Sequence, residues 1–158
     1  MEENKLIKNM NKISIIGGPG TGKTTLGDNL SKELKIPVYH LDGIHHLENW
    51  KTRNSKERDE IILKIIEESK WIIDGTYKST LEERVKSSDM VIFLNYSMVA
   101  RLKGIFSRYL KNRGKEKKEI PGCKEKMDFT FIKFTISWNK TKGYEIKEIL
   151  KKHKDKNV

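Results

Sequence analysis

The run Gly17-Gly18-Pro19-Gly20-Thr21-Gly22-Lys23-Thr24 fits the pattern G-x-x-x-x-G-K-[ST] at every fixed position. A phosphate chain carries several negative charges, so its site needs many backbone N–H donors pointing inward with no side chain in the way. Glycines permit that backbone. A helix opening inside the loop adds unpaired N-terminal amides and the positive end of its dipole. Gly18, Pro19, Gly20, Thr21, Gly22, Lys23, Thr24 and Thr25 are therefore the candidate cradle for ATP or a similar nucleoside triphosphate. The Lys23 ammonium can bridge β- and γ-phosphates, and the Thr24 hydroxyl can be a ligand of Mg²⁺.

Other chemistry-bearing residues fall where this loop could use them. Asp42 and Asp74 each end an expected strand, which in an open parallel sheet places them at the same crevice as the loop. Asp42 could hold Mg²⁺ through water or take the proton of an attacking hydroxyl; Asp74 could bind an acceptor or cap an Asp-Gly turn. The chain has six arginines among 33 basic residues, and Arg101, Arg108 and Arg113 lie within thirteen positions of one another. A planar guanidinium can clamp phosphate oxygens at two points, and a segment carrying it can close over a transferring phosphoryl group. Arg53, Tyr77 and Arg84 are candidates for the acceptor side, with Asp42 and Asp74. His45 and His46 follow Asp42, but no cysteine or carboxylate cluster has ligand spacing around them, so they are read as crevice lining.

The elements that must position these groups can be read from periodicity. Lys12 to Ile16 is a β-branched run ending at Gly17, as expected of a buried parallel strand. Leu26, Leu30 and Leu34 recur every four residues, giving a helix that closes before Pro37. Further strands are expected at Val38 to Leu41, Trp71 to Ile73 and Met90 to Leu94. Helices are expected from Lys56 to Ser69, around Leu81 and Val85, and through Val99, Leu102, Ile105, Phe106 and Tyr109. Lys111 to Lys126 is charged, poor in apolar residues and broken by Gly114 and Pro121-Gly122, and reads as an exposed loop. Helix is expected to resume near Met127, with Phe131, Phe134, Thr135 and Trp138 on one face. A second apolar set follows at Tyr144, Ile146, Ile149 and Leu150, and Gly143 is the expected kink or division. The alternation of strand and helix implies a three-layer α/β architecture around a parallel sheet.

At 158 residues the chain has the size of one domain, residues 1–158. It contains no run of apolar residues long enough to span a membrane, and Met1 to Asn11 lacks the apolar centre of a signal peptide, so a cytoplasmic protein without a membrane partner is expected. The lone Cys123 cannot form an internal disulfide. The net charge of +11 is uneven: residues 1–99 hold 15 basic and 15 acidic side chains, and residues 100–158 hold 18 and 7. That excess is compatible with weak DNA contact, with a site that closes over polyphosphate, or with compositional drift.

The segments IIGGPGTGKTTL, IPVYHLD, WIIDGTYKSTLEERV, MVIFLNY, RLKGIFSRYLKNRGK and PGCKEKMDFTFIKFTISWN together resemble the small P-loop proteins called FlaR-type DNA topology modulation proteins, a branch related to adenylate kinase and shikimate kinase. The resemblance covers nearly the whole chain. It implies a P-loop nucleoside triphosphatase fold with a small helical lid at about residues 108–122. It also implies the phosphate loop at Gly17 to Thr25, a strand-end acid at Asp42 and lid arginines at Arg101, Arg108 and Arg113. Relatives often carry an acid after the fourth strand, where this chain has Asn95. They also continue into a fifth strand, where this chain has only Lys151 to Val158, so four parallel strands are expected with the fifth absent. The expected activity is transfer of the γ-phosphoryl of Mg-ATP to a small nucleotide or hydroxyl acceptor. The catalytic set would be Lys23, Asp42, Arg101, Arg108 and Arg113, and the metal pair Thr24 and Asp42. The alternative is a nucleic-acid-associated ATPase or regulator of DNA topology.

Overall fold

The computed structural model describes residues 10–125 and 128–153. Strand β1 (Lys12–Gly17) carries Ile13, Ile15 and Ile16, none exposed to solvent, and occupies the interior of a sheet. It pairs in parallel with β3 (Trp71–Asp74) on one side and β4 (Met90–Leu94) on the other, and β2 (Val38–His40) lies outside β3, giving the order β2-β3-β1-β4. Side chains alternate across the sheet. Ile13 and Ile15, with Ile72, meet Leu26, Leu30 and Leu34 of helix α1 (Lys23–Leu34) on one face. Ile16 and Val91 turn the other way, onto Leu81 and Val85 of α4 (Leu81–Ser87) and Ile146 and Leu150 of α7 (Lys142–Lys152). Trp71 and Ile73 pack on Ile62, Ile65 and Ile66 of α3 (Ser55–Glu67). Helices thus cover both faces, the arrangement a parallel sheet needs because each of its strands is buried on both sides.

The four-stranded parallel sheet agrees with the expectation, and among the described residues there is no fifth parallel strand. Lys151 and Lys152 belong to α7, while residues 154–158 lie outside the described residues. No described helix is long and apolar enough to cross a membrane.

Three local expectations change. Strand β2 stops at His40 and the chain enters a short helix, α2 (Leu41–His45), because the Leu41 side chain turns into the core beneath α3. Asp42 therefore sits in the first turn of a helix instead of at a strand end. The segment from Lys111 is not an irregular loop, nor is the lid region helical throughout. Helix α5 (Met98–Asn112) turns at Gly114, whose φ is +77°, into an antiparallel hairpin of β5 (Glu116–Lys117) and β6 (Ile120–Lys124). Ile120 and Cys123 bury themselves and anchor the hairpin, two apolar side chains too sparse to stand out among lysines. Finally, the apolar residues of α5 divide between faces: Ile105 is buried, whereas Val99 is 57% and Phe106 47% exposed, and Arg101 shares the buried face.

The expected helix restart at Met127 falls outside the described residues. Helix α6 (Phe129–Ser137) is capped by Asp128, whose side chain accepts the Thr130 N–H at 2.8 Å. The break before α7 is a turn at Trp138–Lys140, not Gly143 itself; Gly143 lies at the start of α7, where a Cβ would stand 2.6 Å from the Trp138 ring.

Candidate functional site

The loop between β1 and α1 has the backbone its sequence demands. Gly20 and Gly22 adopt φ of +73° and +84°, left-handed conformations that a side chain disfavours. Gly20 also has no room for a Cβ, which would strike the carbonyl of Arg101, and a Cβ on Gly104 of α5 would strike the carbonyl of Gly20. Glycine on both sides thus lets α5 lie directly against the loop. The Gly18 carbonyl accepts from both the Thr21 hydroxyl and the Lys23 ammonium, each at 2.9 Å. Thr76 clamps the loop's first residue, its hydroxyl donating to the Gly17 carbonyl at 2.9 Å.

Lys23 is where the charges converge. Burial lowers its pKa, and the carboxylates of Asp74 and Asp42 partly restore it while Arg108 opposes them. Lys23 therefore feels the charges of Asp42, Asp74 and Arg108. The structure does not join the expected metal pair: the Thr24 hydroxyl donates to Asp74 Oδ2 at 2.9 Å, whereas Asp42 Oδ1 accepts from the Tyr77 hydroxyl at 3.1 Å. Parallel pairing is the reason, since the register sets Asp74 beside Ile15 at the mouth of the loop. The other oxygen of Asp74, Oδ1, is buried with no hydrogen-bond partner. An orphaned carboxylate oxygen next to a threonine hydroxyl suits a hard cation that takes its remaining ligands from water and phosphate. Among the described residues there is no cluster of three or more His, Cys, Asp or Glu side chains able to hold a metal ion.

His40, which the sequence reading did not single out, ends β2 opposite Asp74 in the register. Its ring lies 2.9 Å from Asp74 Oδ2 through Nδ1 and 3.1 Å from Asp28 Oδ1 through Nε2. Both neighbours are acceptors, so the contacts are best served by the doubly protonated ring. The hydrogen bond to Asp74 correspondingly raises the His40 pKa. Asp28 stands one helical turn after Thr24, an i, i+4 spacing legible in the sequence.

The arginines separate by role. Arg101 is buried against Gly18 and the Trp138 ring, its guanidinium carbon 5.0 Å from the ring centroid, and none of its guanidinium nitrogens has a hydrogen-bond partner. Burial lowers its pKa. Arg108 pairs with Glu125 at 3.2 Å. Arg113, just past the end of α5, is exposed, its guanidinium carbon 6.0 Å from the centroid of the Tyr109 ring. On the acceptor side, Arg53 donates to Glu57 and to the Ile44 carbonyl. Arg84, expected on the acceptor side, faces the interior. It is wholly buried and donates to the carbonyls of Gly75 and Tyr77 at 2.9 Å each, and burial lowers its pKa to about 10. Apolar neighbours Leu81 and Val85 carry it inward with their helix. Tyr77 lines the crevice under the Arg58 guanidinium, 4.6 Å from its centroid, and burial with the Asp42 charge raises its pKa. Thr25 and Pro19 remain on the accessible side of the loop.

A family model described as "ATPase family associated with various cellular activities (AAA)" matches residues 13–95. Among curated proteins, adenylate kinase 2 of Synechocystis sp. is 52% identical over 33 residues, which are 21% of this chain and 18% of that protein, so the chain matches less than a fifth of that relative's length. Among solved structures, shikimate kinase from Bacteroides thetaiotaomicron superposes with a TM-score of 0.55 at 21% identity, covering 88% of this chain and 82% of that one. A gluconokinase from Sinorhizobium meliloti gives a TM-score of 0.52 at 13% identity, covering 80% and 73%. Likeness at this level of identity describes the fold.

Proposed function

The chain belongs to the ATPase family associated with various cellular activities, whose model covers more than half of it, and on that premise we propose a phosphotransferase. It binds Mg-ATP in the Gly17–Thr25 loop and passes the γ-phosphoryl to a small nucleotide or hydroxyl acceptor beside Asp42. The observation that carries this reading is the glycine loop at the strand-to-helix junction, with Gly20 and Gly22 at positive φ and the Thr24 hydroxyl donating to Asp74 Oδ2 at 2.9 Å. The named activities of the fold neighbours, kinases of small molecules, support it by analogy.

In this scheme the loop amides and Lys23 hold the phosphates, and Thr24 with Asp74 would hold Mg²⁺, which when bound neutralises charge on the phosphate oxygens. Asp42, kept in place by Tyr77, takes the proton of the acceptor hydroxyl; the freed oxygen bonds the γ-phosphorus as the bond to the β–γ bridging oxygen breaks, leaving ADP. Arg101 and Arg108 supply cationic donors to the transferring group. Arg53 and Arg84 are already engaged by protein oxygens, which favours a neutral hydroxyl over an anionic group at the acceptor end. The test is transfer of labelled γ-phosphoryl from ATP to a panel of nucleotides, nucleosides and small hydroxyl metabolites, with Lys23→Ala and Asp42→Asn as controls. Transfer by wild type that both variants abolish supports the scheme; turnover and binding intact in Lys23→Ala would sink it.

The second reading, a nucleic-acid-associated ATPase, rests on α5, which carries no acid and leads into Arg113, Lys115, Lys117 and Lys118. Several of these cations are already engaged within the chain: Arg101 is buried, Arg108 pairs with Glu125 and the exposed Lys118 with Asp28. DNA titration at two salt concentrations checks it, since phosphate contacts of Lys and Arg weaken steeply with salt.

A further inference from the structure

A file of polar contacts runs from the phosphate loop to the hairpin. It passes from the Thr24 hydroxyl to Asp74 Oδ2 at 2.9 Å, then to His40 Nδ1 at 2.9 Å. From His40 Nε2 it reaches Asp28 Oδ1 at 3.1 Å, and from Asp28 Oδ2 the Lys118 ammonium at 2.8 Å. Its members come from the loop, β3, β2, α1 and the turn between β5 and β6. Three are partly or wholly withdrawn from solvent: the side-chain exposures are 5% for Asp74, 17% for His40 and 22% for Asp28. A carboxylate so buried is oriented by whatever donates to it. Both donors of Asp74 sit on Oδ2, which leaves Oδ1 buried and unpartnered.

At the hairpin end the Lys118 side chain is 78% exposed, and it is the backbone around it that is held in place. Next to Lys118, the Glu119 carbonyl lies against Gly43 of α2 with no space for a Cβ. Further along, Cys123 Sγ accepts the Trp50 N–H at 3.2 Å, and the Gly122 backbone abuts the Glu48 side chain. Lys118 therefore meets Asp28 when the hairpin is seated on residues 43–50.

We propose that His40 and Asp28 are positioning residues through which Lys118 of the seated hairpin sets the orientation of the Asp74 carboxylate at the phosphate loop. Seating of the hairpin and readiness of the cation side of the loop are then one event. This rests on the reading of Gly17–Thr25 as a Mg-nucleotide site. Second-layer donors of this kind govern metal affinity without touching the metal.

The experiment is titration of a fluorescent ATP analogue into wild type, His40→Ala, Asp28→Asn, Lys118→Met and the His40→Ala/Lys118→Met double variant, with and without Mg²⁺. Thermal melts accompany each to establish folding. In His40→Ala and Asp28→Asn the Mg²⁺ enhancement of binding is expected to fall roughly 10-fold or more, the scale for outer-layer partners, while Mg²⁺-free binding stays near wild type. Lys118→Met should show a smaller loss that vanishes in the His40→Ala background, because the file is already cut. If Lys118→Met lowers the enhancement equally in both backgrounds, or if His40→Ala and Asp28→Asn keep it, the relay is wrong although the nucleotide site stands. A wild type that fails to bind the analogue under either condition overturns the nucleotide site and the relay with it. Should His40→Ala not fold, Asp28→Asn and its pairing with Lys118→Met separate the same two outcomes.

Discussion

The hydroxyl of Thr24 donates to the carboxylate of Asp74 at 2.9 Å across a separation of 50 residues, so the last fixed position of the phosphate loop and the end of strand β3 meet as one unit. In the proposed scheme this pairing assigns the cation to Asp74, while Asp42, which accepts from Tyr77, serves the acceptor. Thr24→Val keeps the volume and removes the hydroxyl. It should reduce the Mg²⁺-dependent affinity for an ATP analogue by roughly 10-fold, with Thr24→Ser near wild type. Equal affinities for the two variants would show that the hydroxyl is not used.

Gly104→Ala gives the sharpest test of how closely α5 approaches the loop. Helix propensity alone favours alanine by about 0.8–1 kcal/mol. The added methyl, however, would strike the Gly20 carbonyl, and forced overpacking costs about 1–3 kcal/mol. Urea unfolding should therefore show a net loss, accompanied by weaker nucleotide binding. A gain in stability would mean the helix stands off from the loop.

Arg101 is a buried cation with no hydrogen-bond partner among the described residues, a state that an anion would relieve. Arg101→Met should raise the melting temperature of the nucleotide-free protein, by about 1–3 kcal/mol in stability, and lower the further rise produced by ATP. Opposite movement of the two melts is the signature. A lower melting temperature without nucleotide would contradict it.

Arg84 bridges two carbonyls from the protein interior. Arg84→Leu should cost about 1–3 kcal/mol for each acceptor left unpaired, and Arg84→Lys should recover only part, because one ammonium cannot reproduce the fork. Denaturant midpoints measure this. Unchanged stability with a raised acceptor KM would instead return Arg84 to the substrate.

The hydrogen bond from Lys118, together with that from His40, holds the Asp28 pKa below its ordinary 3.8 against the opposing effect of burial. A folded-state pKa below the unfolded value gives stability that is present above the unfolded pKa and lost as pH falls through the folded one. Asp28→Asn should thus be less stable than wild type at neutral pH, and the gap should begin to shrink as pH falls below 3.8 and close only below the lower folded-state pKa. Unfolding curves over that range decide it, and a gap that persists in acid would assign the loss to packing.

Much of this architecture is legible in the chain itself. The glycine pattern, the β-branched run ahead of it and the leucines every four residues behind it are local signals, and the structure places β1, the loop and α1 on them. Strand β4 has the expected bounds, Met90–Leu94, because a short apolar run between polar neighbours has few alternatives. The β5–β6 hairpin is not legible, since only Ile120 and Cys123 bury themselves in a stretch of lysines. Nor is the confinement of Arg84, whose burial depends on which face of α4 meets the core.

Residue types within one or two turns of chain were enough to dictate a phosphate loop on a strand-to-helix junction and a parallel sheet to carry it. Which acid serves Thr24, which arginines stay at the loop and that His40 joins Asp74 to Asp28 were settled by long-range packing instead. Those outcomes depend on strand order and register, which bring together residues tens of positions apart and which no local pattern contains.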